Sequence, residues 1–72
     1  MWYLYIILKN GKYYTGITAN LKNRLRQHGN PPLQYKETFP DKFQAAKREK
    51  QIKSYSRKKM KDLIAKFSRP VS

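Results

Sequence analysis

The chain opens on two apolar, strand-like runs set about a turn, and beyond Thr18 it shifts to helical spacing. WYLYIIL (2–8) is aromatic, aliphatic and β-branched, the composition of a strand with a buried face. Residues 3–8 and 12–16 flank Lys9-Asn10-Gly11-Lys12. Asn-Gly between apolar runs predicts a two-residue hairpin turn, because both turn positions need positive φ. Such a turn sets the register: Lys9 opposite Lys12, Ile7 opposite Tyr14, Tyr5 opposite Gly16. Strand side chains alternate between faces, so Tyr5 and Tyr14 project from the same one as diagonal neighbours. Gly16 leaves a depression beside Tyr5, while Tyr13 falls on the other face with Leu8, a packing position.

After Thr18 the spacing predicts a short helix, with Asn20 as N-cap and Gly29 at C′. Leu21, Leu25 and His28 fall on one stripe and Arg24 borders it; Lys22, Asn23, Arg26 and Gln27 point elsewhere. Pro31-Pro32 prevents continuation, and LQYKETF (33–39) reads as a third strand. Asp41 caps a predicted helix over 42–54, and Ser56 caps a last one whose Met60, Leu63, Ile64 and Phe67 make an i, i+3, i+4, i+7 stripe. In the middle helix Ala45, Glu49 and Ile52 share one face, with Ala46 and Tyr55 flanking it. Glu49 therefore sits inside the apolar arc. A surface glutamate would pair with Lys53 at i+4; a carboxylate aimed at a core edge needs a cation, and a hard divalent metal serves. These elements predict one α+β domain over residues 1–68 and a frayed tail over 69–72.

Composition narrows the picture. A chain of 72 residues buries a core near the lower limit of independent stability, here expected from Trp2, the aliphatics of the first strand and scattered Leu, Ile and Phe. Cysteine is absent, which excludes disulfides and thiolate metal sites. No apolar run reaches membrane-spanning length, and the opening run has no basic flank of the kind a signal peptide carries, so the expectation is a cytoplasmic protein with no membrane partner. Seventeen Lys and Arg against four acidic residues leave a formal charge of +13. That much positive charge costs self-repulsion and points to a polyanion, nucleic acid first. Candidate phosphate contacts are Lys12, Lys22, Arg26, Lys50, Lys53 and Arg57. Arg24 and His28 are helical neighbours at the edge of the face that packs on the sheet bearing Tyr5 and Tyr14. Two phenols, a guanidinium and an imidazole thereby share one surface, a site hypothesis.

Tyr3-Leu4-Tyr5, Tyr14-Thr15-Gly16, Arg24, His28 and Arg48-Glu49-Lys50-Gln51-Ile52, in that order, resemble the GIY-YIG endonucleases, in particular their small stand-alone branch. The likeness runs from about residue 2 to 66. It implies a three-stranded antiparallel sheet flanked by about three helices and divalent-metal-dependent cleavage of DNA, with one Mg²⁺ or Mn²⁺. Position by position it implies catalytic roles for Tyr5, Tyr14, Arg24, His28 and Glu49, with Glu49 as metal ligand and either tyrosine as general base. The chain departs from the family at three points: Tyr3 and Leu4 replace a glycine and an isoleucine, the connection after His28 is cut to Gly29–Pro32, and no asparagine follows Glu49.

The leading expectation is a DNA endonuclease, with branched and single-stranded DNA among the candidate substrates. A unit this small covers few phosphates, so cutting two strands calls for a homodimer or a specificity partner. The alternative is a nucleic-acid-binding module of the same fold without catalysis. A small basic ribosome-associated protein is a third reading, and it predicts no coincidence of Tyr5, Tyr14, Arg24, His28 and Glu49.

Overall fold

The computed structural model describes residues 1–68; the expected frayed tail, 69–72, lies outside the described residues. The order is β1 (Trp2–Lys9), β2 (Lys12–Thr18), α1 (Leu21–Gln27), β3 (Leu33–Phe39), α2 (Lys42–Lys53) and α3 (Arg57–Ser68). The sheet is antiparallel with β1 in the centre, in the order β2-β1-β3. Asn10 and Gly11 take φ of 53° and 75°, the left-handed pair that a two-residue hairpin turn demands. The resulting register pairs Lys9 with Lys12, Ile7 with Tyr14 and Tyr5 with Gly16, as the turn predicts. β2 runs two residues beyond the expected end at Gly16, because Ile17 and Thr18 still find partners in Leu4 and Tyr3. On the other edge the pairing slips between Ile6 and Ile7, making Gln34 an extra residue in β3.

The sheet's two faces have different neighbours. Leu4 and Ile6 are fully buried and join Ile52 of α2 and Met60 and Ile64 of α3 in the core; Tyr13, Ile17, Tyr35 and Phe39 pack against that cluster from the same face. Tyr5 and Ile7 are buried on the opposite face, toward α1. Two residues expected in the core lie at its margin. Trp2 is half-buried with the Lys42 ammonium 5.4 Å over its ring, and Phe67 is exposed but stands edge-on to Tyr35 at 5.4 Å. Both occupy element ends, where too few layers remain to cover a large ring.

Asn20 and Asp41 accept hydrogen bonds from the backbone N–H groups of Asn23 and Gln44 at 3.0 and 2.9 Å, capping α1 and α2. Ser56 Oγ accepts from Lys59 N at 3.3 Å at the start of α3. Gly29, at φ 83°, turns the chain out of α1. Among the described residues no helix is long and apolar enough to cross a membrane.

Candidate active site

The site begins with a missing side chain. Tyr5, in the middle of β1, is 5% exposed and lies across Gly16 of β2. A Cβ on Gly16 would meet the Tyr5 hydroxyl at 2.5 Å and Cζ at 2.7 Å. The glycine is therefore what lets the phenol lie over the edge strand. Burial pushes the Tyr5 phenol above the ordinary range; Arg24 pulls it back down and Glu49 adds to the rise. Arg24 and Glu49, carried by α1 and α2, thus both act electrostatically on the same hydroxyl.

α1 brings two of the expected residues. It is seven residues long with none fully buried, so its caps and the turn at Gly29 hold it in place. His28 is its C-cap, with its backbone N–H bonded to the carbonyls of Arg24 and Leu25 at 3.2 Å. The imidazole is half-buried, and Nε2 lies 3.5 Å from the Tyr5 hydroxyl with the rings tilted at 57°. Arg24, one turn earlier, is exposed. Tyr14, on the face of Tyr5 and opposite Ile7, is 47% exposed. Together with Ile7, Lys9, Asn10 and His28 it lines a depression of about 290 Å³, a volume suited to a phosphate and a few waters.

Glu49 arrives from the other side. It sits on α2 beside fully buried Ala45 and Ile52, with its side chain 22% exposed, as the helical arc predicts. Lys53 does reach it, with Nζ 3.6 Å from Oε2, so the i+4 partner and the core-edge position coexist. That pair is long and single, and leaves carboxylate lone pairs uncommitted. No group of three His, Cys, Asp or Glu suited to a metal occurs among the described residues. The donor set still fits a small hard cation, since Mg²⁺ is commonly held by one or two carboxylates with waters and substrate phosphate oxygens completing its octahedron.

The six candidate phosphate contacts are all exposed and divide into three groups. Lys12, Lys53 and Arg57 line one groove; Lys22 and Arg26 border a shallow depression on α1; Lys50 lies on the outer side of α2 near Phe43, itself 89% exposed. Two features escape the sequence pattern. Lys36 of β3 lies directly opposite Tyr5 on the same face, exposed and available to phosphate; the signal was the alternation of LQYKETF, once its pairing with β1 is known. On the other face Glu37 accepts from the Tyr35 hydroxyl and, at 3.1 Å, from Arg48 Nε, while Arg48 also donates to Gln51 at 2.9 Å and Tyr55 at 3.4 Å. This network ties β3 to α2 one residue before Glu49.

Comparison with known proteins bears on the family and the fold. Residues 1–62 match the model of the GIY-YIG catalytic domain. A UPF0213 protein of Staphylococcus saprophyticus is 37% identical over 88% of this chain and 93% of its own length. One from Xanthomonas campestris is 36% identical over 78% of this chain and 68% of its own. The solution NMR structure of a UPF0213 protein from Bacillus halodurans superposes with a TM-score of 0.69 at 28% identity, covering 97% of this chain and 89% of that one. The α+β fold of three antiparallel strands and three helices is therefore shared.

Proposed function

The chain belongs to the GIY-YIG family, a nuclease family, and on that footing we propose that it is a divalent-metal-dependent endonuclease hydrolysing DNA phosphodiester bonds. The observation that carries this reading is the meeting of three elements at one hydroxyl. His28 lies 3.5 Å from the Tyr5 oxygen, Arg24 lowers and Glu49 raises the proton affinity of that phenol, and Tyr14 flanks it on the same face.

The scissile phosphate sits in the depression between Tyr14 and His28. Arg24 donates to its non-bridging oxygens through a fork of N–H groups, stabilising the charge that builds on phosphorus. Tyr5, its phenol raised by burial and seated beside His28, serves as a hydrogen-bonding group. The base role then falls to Tyr14, the phenol on that face that is open to solvent. As a phenolate it takes a proton from the attacking water, becoming the neutral phenol, as the new P–O bond forms and the ester P–O bond breaks. His28 passes a proton to the departing oxygen. Glu49 would hold one Mg²⁺ or Mn²⁺, and that ion would supply Lewis-acid polarisation of the phosphate and offset negative charge on the leaving group.

One observation favours the alternative, a binding module without catalysis: Lys53 already occupies part of the Glu49 carboxylate. Supercoiled, branched and single-stranded DNA with Mg²⁺ or Mn²⁺ separates the two. Nicking by the unmodified protein is expected to exceed that by Glu49→Ala and Arg24→Ala by about 100-fold or more. Equal nicking by all three, with DNA binding retained, overturns the enzyme reading and leaves the binding module.

A further inference from the structure

A second basic feature lies around the edge from the depression that holds Tyr14 and His28. Between the hairpin end and the α2–α3 junction runs a groove of about 500 Å³ lined by Lys12, Tyr13, Tyr14, Lys53, Tyr55 and Arg57, among others. Three cations and three phenol rings border it. Tyr13 and Tyr55 are half-buried against the core, so their rings are held before anything binds. Held rings beside exposed cations suit a nucleic-acid strand, with bases against the rings and phosphates on the ammonium and guanidinium groups. Tyr14 lines both the groove and the depression, so the two meet at that residue.

Lys53 links the groove to the Glu49 carboxylate. It lines the groove and is at the same time the 3.6 Å partner of Glu49. A lysine is a point charge on a flexible stem, and this one is 59% exposed and held at one end of a long contact. A phosphate lodged between Lys12 and Arg57 competes with Glu49 for it.

We propose that this groove is a strand-binding site for the DNA segment flanking the scissile phosphate, and that filling it draws Lys53 away from Glu49. This rests on the nucleic-acid part of the function proposed above but not on cleavage, and it extends that reading by assigning the strand a path around the β2 edge.

The test is an NMR titration of the isotope-labelled protein with a short single-stranded oligodeoxynucleotide in EDTA, where no hydrolysis occurs. Backbone amides of residues 11–15 and 53–57 are expected to shift, together with the side-chain carboxylate resonance of Glu49. In parallel, the double variant Lys12→Gln, Arg57→Gln is expected to lower the slope of log affinity against log salt by about 1.4, at about 0.7 for each phosphate no longer neutralised. Shifts confined to α1 and the Tyr5 face, or an unchanged salt slope, overturn the groove. A stationary Glu49 resonance while the groove amides move overturns the role of Lys53. A protein that binds in this way yet nicks nothing keeps the groove and loses only the enzyme reading.

Discussion

Among single residues, Gly16 is the one whose absence of a side chain organises the site. Any Cβ there collides with the hydroxyl end of Tyr5, and the colliding atoms belong to a ring that is itself packed and 5% exposed. Gly16→Ala therefore displaces the phenol from His28 with little room for the change to be absorbed elsewhere. Nicking is expected to fall at least tenfold while the far-ultraviolet circular dichroism spectrum stays that of the unmodified protein. Glycine also carries an entropic cost in a strand, so retaining native activity with alanine here would mean that the Tyr5 position is irrelevant to chemistry.

At the level of elements, α1 is the weakest part that the proposed chemistry depends on. Seven residues are too short for independent helicity, and none is fully buried. Asn20→Ala removes the bond to Asn23 N, a loss of about 1 kcal/mol, and that loss falls on the element bearing Arg24 and His28. Hydrogen exchange is expected to accelerate at α1 amides and not at β1, with activity falling more than global stability. The opposite character belongs to the β3–α2 tie. Burial and the hydrogen bond to Glu37 push the Tyr35 phenol up to about 12. A phenol raised in the folded state binds its proton more tightly there than in the unfolded chain. Its stabilising contribution is thus complete below the unfolded value near 10 and is lost as pH climbs toward 12. Urea denaturation of Tyr35→Phe is expected to show a shallower loss of stability across that interval than the unmodified protein does.

For the whole molecule, size and charge set the limits. A formal charge of +13 on 72 residues is distributed over the hairpin end, α1, α2 and the α2–α3 junction. One copy of the proposed site attacks one phosphate, so a supercoiled plasmid is expected to accumulate as nicked circles before any linear form, as read on a gel. Linear product appearing without the nicked intermediate would show that two copies act in concert.

Much of this was legible in the residues alone, wherever the governing rule is local. The Asn10-Gly11 turn and the period of two place Tyr5 opposite Gly16 and send Tyr13 to the core face. Asn20 and Asp41 announce their caps, and the helical arc puts Glu49 beside Ala45 and Ile52. Turn φ values, strand alternation and helix periodicity are properties of a few neighbouring residues, and so a sequence can state them. What it could not state are distances between segments far apart along the chain. That Glu49 of α2 adds to the rise of the Tyr5 phenol depends on how buried surfaces seat α2 against the sheet. So does the half-buried network around Glu37, and so does the burial that raises the Tyr5 phenol while Tyr14 stays open to solvent. Burial is a sum over every neighbour in three dimensions, and only the packed molecule contains it.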